Sequence, residues 1–171
     1  MTAHQFSLLT RQLAFGADAF TRRYPHCWLM WEAAGRHARV SDVSLSVVET
    51  AVAGTRKATP VPTLTDALCF VLNPGDDKPL RVGRALDNEV VIAEPTVSRV
   101  HARLELKGTT WHLLPVSEKR RTIVGQKVAF PGESVQLTSG VALELGGVKL
   151  AFYDARDFKA LVAGVPLRSS R

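Results

Sequence analysis

From Ala67 onward the chain is written in short apolar runs separated by turn residues. ALCFVL, PLRVGR, EVVIA, VHARLEL, TWHLLPV, RTIV, KVAF, SVQLT, VALEL and VKLAFY follow one another between residues 67 and 153. Several of them alternate apolar with polar positions, the rhythm of a strand with one face on a core. Asn73-Pro74-Gly75-Asp76, Lys107-Gly108, Pro131-Gly132, Ser139-Gly140 and Gly146-Gly147 punctuate the runs with residues that favour reversals. Many short strands at near-regular spacing predict a mainly β protein, a β-sandwich of short antiparallel strands with its loops gathered at the ends.

The first 65 residues carry a different pattern. Phe6, Leu9, Leu13 and Phe20 recur at helical spacing, and Thr2 with Gln5 has the form of a capping box, so the periodicity predicts an amphipathic helix over 3–20. Its apolar stripe either packs on the body of the protein or docks a partner. CWLMWE at 27–32 and VSLSVV at 43–48 read as strands, with a basic turn at 35–39 between them. Residues 51–66, with two prolines, a glycine and four threonines, read as a linker or a surface-running connection, and a boundary is expected there. At the other end, Asp154 is placed to cap a short helix over 154–163, with Phe158, Leu161 and Val162 on one face and Gly164 as its stop. The expected organisation is therefore an N-terminal extension at 1–65, a sandwich at 66–153, and a short helix and tail at 154–171.

Composition narrows the class of protein. With 46% hydrophobic and 22% charged residues in 171, the chain can bury a core and is not of disordered composition. No run approaches the ~20 apolar residues of a membrane span, and the N-terminus lacks the basic and apolar blocks of a secretory signal, so the expected location is cytoplasmic. The net charge of +6 is shared evenly, since residues 1–60 hold seven Arg/Lys against four Asp/Glu and the remainder fifteen against twelve. That balance favours anionic partners without naming one. Cys27 and Cys69 lack metal-ligand spacing and read as buried thiols, a disulfide between them being unsupported.

The stretch that carries chemistry is RVGRALDNEVVIAEPTVSRVHARL, residues 81–104. It sets Gly83-Arg84 and Ser98-Arg99-Val100-His101 on either side of a turn-rich loop. An arginine fork and a short hydroxyl suit a phosphorylated side chain, which carries nearly two negative charges and three strong acceptor oxygens. Gly83 reads as a turn with positive φ or a point where a ligand approaches the backbone. The order Gly-Arg-x-x-x-Asn-x-Val-x-Ile followed by Val-Ser-Arg-x-His-Ala resembles the forkhead-associated (FHA) domain, a phosphothreonine-peptide-binding module. The resemblance spans roughly residues 66–153 and implies that Arg84 pairs with phosphate and that Ser98 donates a hydrogen bond to it. It also implies that Asn88 and His101 brace the loops. Arg99 either adds charge at the phosphate or steadies the loop.

The likeness breaks at the next loop. The family carries Ser-x-Asn-Gly-Thr there, the asparagine holding the main chain of the bound peptide, whereas this chain reads Ser117-Glu118-Lys119-Arg120-Arg121-Thr122. Ser117 is retained, Lys119 stands for the asparagine and Arg120 for the glycine. A group that donates and accepts is replaced by cations that only donate. The loop is either solvated charge or added purchase on phosphate and acidic flanks. The expected phosphopeptide-binding residues are thus Arg84, Ser98, Arg99, Ser117, Lys119 and Arg120, with Gly83, Asn88 and His101 as loop architecture.

Against catalysis, His4, His26, His37, His101 and His112 show no metal-binding spacing, and there is no P-loop, nucleophile elbow or kinase signature. The reading is a non-enzymatic module for protein–protein interaction in signalling, without metal or cofactor, whose partner is a phosphorylated protein. The alternative is a phospho-independent scaffold domain with a diverged peptide-binding loop. Nucleic acid ranks third and a membrane is not expected as partner.

Overall fold

The computed structural model describes residues 3–31, 67–73 and 78–164. The basic turn at 35–39, the strand expected at 43–48, the connection at 51–66 with its boundary, the Pro74–Asp76 turn and Thr2 lie outside the described residues.

Two sheets face one another. The larger runs in the order β1 (Ala3–Gln5), β3 (Leu68–Leu72), β2 (Cys27–Trp31), β12 (Val148–Tyr153), β11 (Ala142–Leu145), β8 (Thr122–Val124) and β9 (Lys127–Ala129), all antiparallel. The smaller has the order β10 (Val135–Gln136), β7 (Thr110–Pro115), β6 (Ala102–Lys107), β4 (Leu80–Gly83) and β5 (Val90–Val91). One pairing departs from the all-antiparallel expectation: β4 and β5 run parallel, Val82 beside Val90 and Gly83 beside Val91. The loop between them must therefore cross over, and it carries Arg84 and Asn88.

The side-chain period explains the apolar runs. In the smaller sheet, Ala102 and Leu104 of β6 point into the inter-sheet core while Arg103 faces solvent. The neighbouring strands β2 and β3 of the larger sheet are covered on both faces, which is why CWLMW and LCFVL are nearly continuous in apolar residues. Leu29, Trp31, Phe70, Leu72, Leu150 and Phe152 enter the core between the sheets. Trp28, Met30, Cys69, Ala151 and Tyr153 point the other way, into a second apolar layer under the helices. The same alternation settles the cysteines. Cys27 packs on the inner core and Cys69 in the outer layer, on opposite faces of the sheet, and both are free thiols. Burial pushes the Cys69 thiol up to about 12.

The single helix expected over 3–20 is three elements. Ala3–Gln5 completes the open edge of β3, α1 spans Phe6–Phe15, and α2 spans Ala17–Arg23 after a break at Gly16. An available strand edge satisfies backbone groups that a first helical turn leaves unpaired, so residues 3–5 pair with the sheet. Gln5 occupies the cap position without a side-chain capping bond, and no capping box forms on it. The stripe packs on the body: Phe6, Leu9 and Phe20 are buried with Phe158 of α3 (Ala155–Val162). Trp28 stacks on Phe158, ring centroids 4.2 Å apart. Asp154 caps α3 as expected, its carboxylate accepting from the Asp157 amide at 2.7 Å.

Candidate functional site

At the end of β4 the chain passes unusually close to another segment. A Cβ built on Gly83 would lie 2.3 Å from the Arg99 carbonyl oxygen, so the position tolerates hydrogen alone. Its φ is not in the left-handed region, and the space a side chain would fill is taken by the 98–99 backbone, not kept for a ligand. That approach lets the Arg84 amide donate to the Ser98 carbonyl at 3.0 Å and the Ala85 amide to the Arg99 carbonyl at 3.2 Å. Asn88 is buried behind them, its side-chain amide donating to the Ala85 and Arg99 carbonyls at 2.8 and 2.7 Å. The crossover loop is clasped further by Arg81, which bonds Asp87 and Glu89, and this pairing holds the Glu89 carboxyl below its usual range. The Arg84 side chain stays exposed, in no ion pair among the described residues.

His101 organises the opposite wall. It is completely buried, and its amide donates to the Val82 carbonyl at 2.8 Å. The Ser98 amide donates to Nδ1 at 3.3 Å, so Nδ1 carries no proton and Nε2–H faces the Thr122 hydroxyl at 3.2 Å. Burial holds its pKa below the ordinary value; the Arg121 carbonyl opposes this and the Arg120 charge reinforces it. A neutral, doubly bonded ring thus ties the Ser98 loop to β8. The His101 carbonyl accepts from the amides of Val116 and Ser117, bringing in the third loop.

The hydroxyls of Ser98 and Ser117 then meet at 2.7 Å, and the Arg120 amide donates to the Ser117 hydroxyl at 3.1 Å. Either hydroxyl can donate in this contact, and when Ser117 donates, the Ser98 hydrogen is available to an acceptor in the cleft. The two serines border an open cleft of about 870 Å³ whose rim also holds Arg84, Arg99, Glu118, Lys119 and Arg120. All six expected binding residues line this one cleft, and Gly83, Asn88 and His101 stand behind its walls.

Residues 80–146, from β4 to the turn after β11, match the sequence profile of the FHA domain family. Over these residues the chain is similar to the FHA domain. Among solved structures, it resembles the FHA domain of the CT664 protein from Chlamydia trachomatis at 16% identity and a TM-score of 0.50, over 75% of this chain and 97% of that one. The FHA domain of an Arabidopsis thaliana hypothetical protein is 24% identical over 60% of this chain and 79% of that one, TM-score 0.46. Mycobacterium tuberculosis EmbR, solved with a low-affinity phosphopeptide, is 19% identical over 59% of this chain and 23% of that one, TM-score 0.44. No curated protein matches the chain in sequence.

Three members of this site carry no sequence signal. Thr122 looked like the end of a loop motif, yet it is buried and bonds the His101 ring. Gly146 looked like an ordinary turn glycine. It has a positive φ of 59°, and an added Cβ would come within 2.1 Å of the Thr96 carbonyl, so it seats the Ser98 loop against the β11–β12 turn. Arg81 sits in a strand with nothing to mark it, and its carboxylate partners are six and eight residues away across the crossover. Among the described residues no group of His, Cys, Asp and Glu could hold a metal ion, and no helix is long and apolar enough to cross a membrane.

Proposed function

We propose that this FHA domain reads phosphothreonine on a partner protein, through the Arg84 guanidinium and the Ser98 hydroxyl. The observation that carries the reading is the meeting, on one cleft, of an exposed arginine in no ion pair among the described residues and a serine hydroxyl held in place by Ser117. A phosphate dianion accepts from both, and charge-assisted bonds of this kind are about twice as strong as neutral ones. Arg99 adds charge at the rim, Ser117 orients Ser98, and Lys119 and Arg120 supply further cations where the family's asparagine and glycine would stand. Gly83, Asn88 and His101 hold the loops and do not touch the ligand. The module works without catalysis or cofactor, as an interaction device in signalling, and a cytoplasmic setting suits a ligand made by kinases.

Glu118 on the same rim favours a second reading, a phospho-independent interaction domain, because a carboxylate repels phosphate. A titration with matched phosphorylated and unphosphorylated threonine peptides separates the two. Binding of the phosphorylated form alone is expected; equal binding of both would favour the scaffold.

A further inference from the structure

Within the same cleft, and resting on the reading just proposed, the charge inventory names the kind of partner. Four cations border it, Arg84, Arg99, Lys119 and Arg120, against the single carboxylate of Glu118. None of the four is in an ion pair among the described residues. Arg81, only three positions before Arg84, is by contrast fully engaged with Asp87 and Glu89. The cleft thus gathers four cations that no ion pair among the described residues neutralises.

A phosphate of nearly two charges seated on Arg84 and Ser98 leaves this excess incompletely neutralised, since four cations less one carboxylate give three positive charges. Lys119 also removes the amide that would have matched a peptide main chain at both donor and acceptor. What remains at 119–120 is attraction without a fixed register. We infer that the partner segment is an acidic phosphothreonine sequence, with Asp or Glu flanking the phosphorylated residue on the side that lies along the 118–120 loop. Attraction between exposed charges reaches roughly 8 Å at physiological salt and an extended peptide advances about 3.4 Å per residue, so acidic residues within about two positions of the phosphothreonine count.

The experiment is fluorescence anisotropy on the full chain with phosphothreonine peptides whose two neighbours on each side are Ala, Glu or Lys, at low and high salt. Two exposed ion pairs convert to a preference for the Glu-flanked over the Ala-flanked peptide of roughly two- to thirtyfold at low salt, shrinking at high salt. The Lys-flanked peptide should bind most weakly. In K119Q/R120Q the ratio of Glu-flanked to Ala-flanked affinity should fall towards one, whereas Arg84→Ala should remove phosphate dependence from every peptide. Equal affinities for the three flanks, with Arg84→Ala still abolishing binding, would overturn the acidic partner and leave phosphate reading in place. Failure of every phosphopeptide would overturn both. If the unphosphorylated Glu-flanked peptide or duplex DNA bound as tightly as the phosphopeptide, regardless of Arg84, the cleft would be a general polyanion surface and the inference would fall.

Discussion

At the scale of single residues, the site depends on directed hydrogen bonds as much as on charge. The Arg120 amide donates to the Ser117 hydroxyl, which in turn holds the Ser98 hydroxyl at 2.7 Å. Ser117→Ala should then cost about 0.5–1.5 kcal/mol of phosphopeptide affinity, the ordinary worth of one hydrogen bond. In a Ser98→Ala background the same change should cost almost nothing, because Ser117 acts through Ser98. Calorimetry on the four proteins measures that coupling, and strictly additive losses would make Ser117 a direct contact. His101 offers a pH test. Its folded pKa lies below 6.5, so above that pH both folded and unfolded chains hold it neutral. Below 6.5 the unfolded chain takes up a proton that the buried ring refuses, and stability falls until the folded pKa is passed. Thermal melts between pH 7.5 and 5 should show this decline, and His101→Ala should flatten part of it. His4, also depressed by burial and by Arg23, keeps the rest. The His101→Ala protein should be weaker at every pH, by about 1–3 kcal/mol for each buried group left unpaired.

At the scale of elements, the crossover between β4 and β5 is built around a contact of backbone on backbone. Gly83→Ala should force the 98–99 segment away, with a cost of about 1–3 kcal/mol for overpacking and amide shifts across residues 84–99 in NMR spectra. A variant with unchanged spectra would mean the segment is free to move and Gly83 sets no geometry. How much of this could be read from the chain follows from how local each signal is. The strands after Ala67 and the α3 cap are written in neighbouring residues, so their pattern was visible. The cleft's Gly83, Arg84, Ser98 and His101 were visible through their order within one stretch. Thr122 bonding His101 and Gly146 seating Thr96 join residues 21 and 50 positions apart, and no local pattern encodes such meetings. The β1 strand has no apolar rhythm of its own. The open edge of β3 decides its conformation, and the helix predicted across it gave way to that pairing.

At the scale of the molecule, helices, larger sheet and smaller sheet form three layers with two apolar interiors. The N-terminal segment contributes to both, since β2 lies between β3 and β12 with Trp31 in one interior and Trp28 in the other. Removing residues 1–31 should leave two strands without their common neighbour and abolish cooperative unfolding in a thermal melt. A truncated chain that melted like the intact one would show that the strands after Ala67 stand alone. The site lies at the loop end of this body, where the strands position exposed charges, and the central claim is that Arg84 there reads a phosphate. The most direct measurement is calorimetry of a phosphothreonine peptide against the intact protein, Arg84→Ala and Arg84→Lys, each checked for native fold by circular dichroism. The account predicts a loss of about 2–5 kcal/mol for Arg84→Ala and partial recovery for Arg84→Lys, whose ammonium lacks the fork. Unchanged phosphopeptide affinity in a folded Arg84→Ala protein would contradict it.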